Sequence, residues 1–250
     1  MPASRPKNLA KSLPRMLLST TSPEQGVPLP APVRGKPRLI ESEADILAGI
    51  KALRRKCPIM RRVHDATGLP PLRRRAAGLE GLARIVVGQQ VSVASAAAIW
   101  ERTFMAVQPF DAPTLLAKTE PELRAAGLSG PKIRTLLAVG REIAEAGLDL
   151  GKLDHLADDE IHAALTRISG IGPWTADVYL MFCIGRADTF ASGDLALQAA
   201  AQLAIGLEAR PSADELRQIA ERWRPWRGVA ARLLWAYYRV LKDAKSGVPV

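Results

Sequence analysis

From Ser42 to about Tyr238, apolar side chains recur every three or four residues, the spacing of amphipathic helices. Strand signals are nearly absent, with no alternating run of useful length and no Asn-Gly or Asp-Gly hairpin turn. The sequence therefore predicts an all-α protein. We expect helices near residues 43–55, 58–66, 78–88, 93–107, 120–126, 131–147, 158–167, 173–185, 195–205, 213–222 and 226–241.

Three of these helices begin at a hydroxyl residue followed three positions later by an acid. In such a capping box each side chain accepts a hydrogen bond from a backbone amide of the first turn. The pairs are Ser42 with Asp45, Thr119 with Glu122, and Ser212 with Glu215.

The N-terminal segment 1–40 differs in composition from the rest. It holds seven basic residues, one acid and eight of the 19 prolines, and it contains no aromatic residue. Too little apolar surface is available there to offset chain entropy, so we expect a disordered basic tail ahead of a folded domain over 41–250. The composition is equally compatible with a tail that adds non-specific affinity for DNA and with a tail that has no role.

The chain carries a formal net charge of +10, which favours a polyanionic partner without proving one. Its two cysteines, Cys57 and Cys183, lie far apart in sequence, so a disulfide framework or zinc ribbon is not expected. No apolar run approaches the roughly 18 residues that a membrane-spanning helix needs. These observations favour a cytoplasmic protein without membrane contact.

The turn Ile168–Gly172, which reads Ile-Ser-Gly-Ile-Gly, separates two apolar helical segments. Glycine reaches positive φ and has no side chain, so backbone amides of such a turn can approach a phosphate closely. Pro173 suits the first turn of the next helix, whose open amides also attract an anion. An ordinary tight turn between helices is the alternative interpretation.

Asp194 lies 20 residues after Trp174 and directly before an apolar helix. By its position it is a good helix N-cap. A carboxylate close to a phosphate-binding turn could also stabilise positive charge on a deoxyribose or orient a water molecule. The two roles are compatible.

All twelve aromatic residues fall between Trp100 and Tyr238, and three tryptophans crowd the last helices. These three are Trp223, Trp226 and Trp235. Core packing is the simpler interpretation, and stacking against a flat base is the other. The three histidines have no spacing typical of a metal site, and we predict none.

In this order the motifs resemble the helix-hairpin-helix (HhH-GPD) DNA glycosylases, closest to the alkylpurine branch of 3-methyladenine DNA glycosylase II. The resemblance covers residues 45–240 and includes three further segments beside the hairpin and Asp194. They are IVVGQQVSVASAAAIW (85–100), GLSGPKIRTLLAVG (127–140) and WRPWRGVAARLLWAYY (223–238).

The resemblance implies a role for individual residues. Asp194 would be catalytic, and Gln90 would be a wedge that fills the gap left by a flipped nucleotide. The base pocket would include Trp174, Trp235 and Tyr179. DNA contacts would come from Gln89, Gln90, Ser92, Gly170, Gly172 and the Thr175 amide, and a monovalent cation could bind the carbonyls of Thr166, Ile168 and Ile171.

The implied architecture is two helical subdomains with a DNA-binding cleft between them and no N-terminal β-subdomain. One subdomain would span 78–195, and the other would combine 42–77 with 196–250. The implied partner is double-stranded DNA with a damaged base, bound by a monomer. Trp174 stands where relatives with lyase activity place a lysine, and two cysteines cannot hold the four-cysteine iron–sulfur cluster of other relatives.

The expected reaction is hydrolysis of the N-glycosidic bond of an alkylated purine in a flipped nucleotide, without a lyase step or a cofactor. Two alternatives stay open. The same fold could act on deaminated or oxidised bases, or the chain could be a non-catalytic module that uses the hairpin only to bind phosphate. A purely structural helical adaptor is the least compatible with the basic composition.

Overall fold

A computed structural model describes residues 37–246, with side chains described as far as residue 243. Within that range the regular structure is helical, apart from one isolated antiparallel bridge between Leu39 and Arg186. The helices are α1 (Glu43–Lys56), α2 (Pro58–Thr67), α3 (Leu79–Gly88), α4 (Val93–Ala106), α5 (Ala112–Leu116), α6 (Glu120–Ala125), α7 (Gly130–Ala144), α8 (Asp158–Thr166), α9 (Pro173–Tyr179), α10 (Leu195–Ile205), α11 (Ala213–Ala220) and α12 (Arg227–Ser246). The all-α prediction is confirmed.

The predicted helices agree with the structure to within a few residues, with two differences. The short helix α5 was missed, although Asp111 caps it and Pro113 lies in its first turn. Helix α9 does not continue as an α-helix to residue 185. It passes into a π-helical turn at Leu180–Ile184, which ends at Gly185 with φ +94°.

The three predicted capping boxes are all present. In each one the hydroxyl accepts from the amide three residues later, while the acid accepts from the amide of the cap residue. These local signals start α1, α6 and α11 as expected.

The predicted tail extends too far at its C-terminal end. Residues 1–36 lie outside the described part of the chain, but Ile40 is fully buried and its amide donates to the Gly185 carbonyl at 2.7 Å. The Arg38 guanidinium stacks on the Trp226 ring at 4.5 Å from its centroid. The Ala187 amide also donates to the Arg38 carbonyl at 2.9 Å. Residues 38–40 therefore belong to the folded body, because one apolar side chain and two backbone hydrogen bonds anchor them there.

Helix packing is organised around α12 and α3. Helix α12 packs against α1, α2 and α10, whereas α3 packs against α4, α7 and α9. Helix α9 also packs against α8, its partner in the hairpin. The division into subdomains 78–195 and 42–77 plus 196–250 stays a prediction.

The core explains several residues whose role was open in the sequence. Trp223 and Trp226 are buried, as are both cysteines. Trp223 packs against Phe190 with ring centroids 5.6 Å apart. No helix within residues 37–246 combines the length and the apolar composition that a membrane span requires.

Candidate active site and nucleic-acid interface

The hairpin between α8 and α9 needs glycine at position 170 because of its backbone conformation and its packing against α7. Gly170 has φ +89°. A β-carbon there would lie 1.9 Å from Thr135 Oγ1 on α7, so the turn lies directly against that helix. The sequence predicts that this glycine lets the backbone come close to a phosphate. In the structure it also permits close packing inside the protein.

Gly172 differs because a β-carbon there would meet nothing within 4 Å. It is the N-cap of α9, and Pro173 follows at the first helical position. In the described part of the chain, the amides of Gly170, Gly172 and Trp174 donate no hydrogen bond. Open amides at the positive end of a helix can bind an anion such as a phosphate.

The Thr175 amide is not one of these open donors. It donates to the Gly172 carbonyl at 3.0 Å, and Thr175 is only 2% exposed. The Thr175 amide is therefore not available for the predicted phosphate contact, whereas the Trp174 amide, one residue earlier, is open. The reason is that Thr175 already closes the first turn of α9.

The three carbonyls suggested for a monovalent cation partly fit such an ion. The Ile168 carbonyl accepts from the Ile171 amide at 3.0 Å. Within residues 37–246 the carbonyls of Thr166 and Ile171 accept no backbone hydrogen bond outside the helices. Oxygen atoms with open lone pairs on one turn are suitable donors for a hard cation, and the cation itself stays a prediction.

Asp194 is surrounded by N–H donors. Its Oδ1 accepts from the amides of Ala196 and Leu197 at 2.9 and 3.0 Å, and from Trp235 Nε1 at 3.1 Å. Its Oδ2 accepts from Trp174 Nε1 at 2.8 Å. The carboxylate thus caps α10 and also joins α9 to α12 through two indoles.

The two oxygens of this carboxylate are unequally occupied. Oδ1 accepts three hydrogen bonds and is saturated, whereas Oδ2 accepts one and keeps lone-pair capacity. Asp194 is only half-buried, so a ligand can reach it. The cap therefore leaves one oxygen available to a water molecule or a developing positive charge.

Trp174 and Trp235 are half-buried, and the structure brings both to the predicted catalytic residue. Trp235 also packs against Phe182, with ring centroids 5.6 Å apart. Tyr179 is placed differently from the prediction. It is fully buried, and its hydroxyl accepts from the Gly78 amide at 2.9 Å, so it belongs to the core rather than to a surface that a base can reach.

The turn after α3 holds the two predicted glutamines in different environments. Gln89 Nε2 donates to Thr175 Oγ1 at 2.9 Å, which ties this turn to α9. Gln90 is exposed and has φ +55°, so its side chain is free to contact a ligand. Ser92 caps α4 by accepting from the Ser95 amide at 3.1 Å, and its hydroxyl also contacts that of Ser95.

Asp177 lies on α9, and from the sequence it is expected to be an ordinary solvated acid. No sequence signal indicates its actual environment. Instead its side chain is 19% exposed and lies 3.7 Å from His162 Nε2 on α8. Burial raises the pKa of this carboxyl to about 7, although the charges of Arg217 and Arg227 act in the opposite direction. Asp188, another acid of similar appearance, pairs with Arg224 and Arg227.

The chain is similar in sequence to known proteins. A family described as "HhH-GPD superfamily base excision DNA repair protein" matches residues 83–225. YfjP of Bacillus subtilis (strain 168), whose name assigns it provisionally to the DNA-3-methyladenine glycosylases, is 31% identical over 160 residues. That match covers 61% of this chain, which spans 56% of the length of YfjP.

Solved structures give the same result for the fold. A DNA-3-methyladenine glycosidase of Bacillus halodurans matches with a TM-score of 0.67 and 25% identity, covering 82% of this chain and 94% of that one. The Schizosaccharomyces pombe 3-methyladenine DNA glycosylase Mag1, solved in complex with abasic DNA, has a TM-score of 0.69 and 24% identity, covering 75% and 95%. Because the family match covers more than half of the chain, the protein belongs to the HhH-GPD superfamily of base excision DNA repair proteins.

Proposed function

We propose that the protein is a DNA glycosylase that removes alkylated purines, of the 3-methyladenine and 7-methylguanine type, from double-stranded DNA. The observation that carries the proposal is the Asp194 carboxylate, held by two indoles and two amides beside a helix N-terminus with open amides. The names of the relatives, which refer to 3-methyladenine glycosylases, support the same substrate class.

The proposed reaction begins with an extruded nucleotide whose adjacent phosphate binds the amides of Gly170, Gly172 and Trp174. As the C1′–N bond breaks, the base leaves with the electron pair and the deoxyribose becomes positively charged. Asp194 Oδ2 stabilises that charge and accepts a proton from the water that attacks C1′. Gln90 fills the space that the nucleotide leaves in the duplex.

We further propose that the reaction stops at hydrolysis. A lyase step needs an amine that forms a Schiff base with the sugar, and an indole stands at the corresponding position, Trp174. With two cysteines the chain also lacks the thiolates for a four-cysteine iron–sulfur cluster, so we propose that no cofactor takes part. We place this monomeric enzyme in the cytoplasm, at the bacterial nucleoid.

The test measures methylpurine release from methylated duplex DNA by the full-length chain and by Asp194→Asn. Asparagine keeps a side-chain oxygen for the α10 cap but loses the negative charge. Release should therefore fall on the order of a hundredfold or more, while affinity for abasic DNA stays within roughly threefold. If the unaltered chain releases no methylpurine, the substrate class is wrong; if Asp194→Asn releases it at the normal rate, the mechanism is wrong.

A further inference from the structure

Three arginines from three helices surround the loop that precedes α7. Arg102 comes from α4, Arg124 from α6 and Arg134 from α7, and we call them the arginine cluster. All three side chains are exposed. The loop between them, residues 127–130, reads Gly-Leu-Ser-Gly, and its two glycines leave room for the guanidinium groups to approach the backbone.

Two of these guanidinium groups converge on Gly130. A β-carbon at this position would lie 3.2 Å from Arg124 Nη2 and 3.4 Å from Arg134 Nη1. At the other end of the loop, a β-carbon at Gly127 would lie 2.8 Å from Arg102 Nη2. Like charges so close repel each other, and an anion bound between them would remove that repulsion and accept hydrogen bonds from both groups.

Acids of the protein balance this charge only in part. Arg124 donates through Nε and Nη2 to the Glu120 carboxylate. Arg102 donates to the uncharged Ala126 carbonyl at 3.1 Å, and Arg134 makes no hydrogen bond or ion pair with any described side chain. One carboxylate thus pairs with a cluster of three guanidinium groups, which leaves net positive charge for an anionic ligand.

The start of α7 lies beside both elements that the proposed function places on DNA. Lys132 Nζ donates at 2.7 Å to the Val87 carbonyl, at the end of α3 just before the turn that carries Gln90. One helical turn after Lys132, Thr135 lies against the hairpin at Gly170. The arginine cluster is therefore at the same end of α7 as the Gln90 turn and the hairpin.

The position of the Gln90 turn indicates which DNA strand meets the cluster. On one side this turn is bonded to α9 through Gln89 and Thr175, and the open amides there bind the damaged strand in the proposed reaction. On its other side the bond from Lys132 joins it to α7. A side chain that fills the gap left by a flipped nucleotide lies between the two backbones, so cations on the side away from α9 meet the opposite backbone.

We propose that the arginine cluster binds a backbone phosphate of the undamaged strand while the hairpin binds the damaged strand. The inference rests on the proposed function and adds a second contact to it. Contacts on both strands hold the duplex on either side of Gln90 while the base pair at the lesion is open. Phosphate contacts fix the position of a protein on DNA without reading sequence, which suits an enzyme that meets lesions in any sequence.

The experiment measures the affinity of the full-length chain for a duplex with one tetrahydrofuran abasic site and for the abasic strand alone. The variants are Arg134→Gln, which removes a charge without loss of an internal contact, and Arg102→Gln. The matched control is Arg210→Gln, which removes one positive charge from an exposed loop with no side-chain contact among the described residues. Thermal unfolding checks that each variant is folded.

Arg134→Gln and Arg102→Gln should each weaken binding to the duplex about fivefold near 0.1 M salt, and change the affinity for the single strand less than about 1.5-fold. For the duplex, the slope of log K against log salt concentration should become shallower by about one in each variant, because one phosphate contact is lost. Arg210→Gln should change neither affinity.

Neutral methylphosphonate linkages, placed one at a time in the undamaged strand, identify the phosphate. At one linkage the substitution should weaken binding by the unaltered chain about fivefold. The same substitution should have no further effect on Arg134→Gln, since the charge pair is already lost.

Equal losses on the duplex and on the single strand would assign the cluster to the damaged strand and overturn the inference. Unchanged duplex affinity in both variants would also overturn it, as would methylphosphonate effects that add to that of Arg134→Gln at every linkage of the undamaged strand. These measurements require no catalysis, so a failure of base release would contradict the proposed function alone.

Discussion

Three pairs of identical residues lie around α9, and the two members of each pair have opposite surroundings. One member faces open space or keeps free bonding capacity, and we call these the outer set: Asp194, Gly172 and Gln90. The other member is enclosed by the protein or bonded within it, and these form the inner set: Asp177, Gly170 and Gln89. Residue type is therefore a poor guide to role in this protein, whereas the surroundings separate groups that are open to a ligand from groups that support the fold.

The two carboxylates show the difference most clearly. Asp194 accepts four hydrogen bonds from N–H donors, an arrangement that suits a negative charge in a half-buried position. Asp177 accepts none from the described residues, and its nearest basic atom is His162 Nε2 at 3.7 Å. The hydrogen-bond donors around each acid, rather than its position in the sequence, therefore distinguish the two carboxylates.

The largest expected effect separates these two acids. Asp194→Asn should slow base release on the order of a hundredfold or more. Asp177→Asn should leave the rate at about neutral pH within roughly twofold, because Asp177 does not contact the Asp194 site. Single-turnover assays on methylated DNA measure both. A comparable loss in the two variants would contradict the division into outer and inner sets.

The glycine pair should differ in stability. Gly170→Ala places a β-carbon against Thr135 Oγ1 at a positive φ, and we expect it to lower the free energy of unfolding by roughly 2–4 kcal/mol. Gly172→Ala meets open space and should change it by less than about 1 kcal/mol.

The same glycine pair offers a second measurement. The methyl group of Gly172→Ala projects where a phosphate should approach, so affinity for DNA should fall about fivefold despite normal stability. Urea unfolding and a DNA-binding titration together test the pair. Equal stability losses would show that the turn at 172 is as tightly packed as that at 170.

Asp177 should make stability depend on pH. Its pKa in the folded protein, about 7, lies above the ordinary value of 3.8, so the folded state holds a proton that the unfolded state releases between these pH values. Stability therefore falls as pH rises through this window, and the loss is complete above the folded pKa.

Asp177→Asn removes that loss. Relative to the unaltered chain, the variant should gain about 1–2 kcal/mol near pH 8 and much less near pH 4, discounted for the partial exposure of the side chain. Thermal unfolding at the two pH values measures the difference. A gain of equal size at both would show that Asp177 is ionised in the folded protein throughout.

The glutamine pair should give the smallest effect. Gln89→Ala loses the bond to Thr175 and should cost about 1 kcal/mol of stability. Gln90→Ala should leave stability unchanged and slow base release about threefold through loss of the wedge. If Gln90→Ala destabilises the fold while Gln89→Ala does not, their assignment to the two sets must be exchanged.

Much of the fold was readable in the sequence because its signals are local. A capping box, an apolar face repeating every turn, and a glycine pair before a proline all act over a few residues. They predicted α1, α6 and α11 with their caps and the hairpin before α9. The position of Asp194 as the N-cap of α10 was readable for the same reason.

These local signals do not predict long-range contacts. Nothing local indicates that Tyr179 is buried against Gly78, that Gln89 bonds to Thr175, or that Ile40 docks beside Gly185. The π-helical turn after α9 also depends on packing, and it brings Phe182 beside Trp235. These features depend on which helices pack together, and sequence spacing does not contain that information.

The sequence alone thus determined the helical class, most helix limits, the hairpin and the acid that follows it, because hydrogen bonding within a helix and apolar periodicity are short-range. Only the tertiary structure decided the surroundings of that acid. It brings Trp174 and Trp235 from two different helices to one carboxylate and leaves one oxygen open. Burial and open amides depend on every neighbour in space, and so they appear only when the chain is packed.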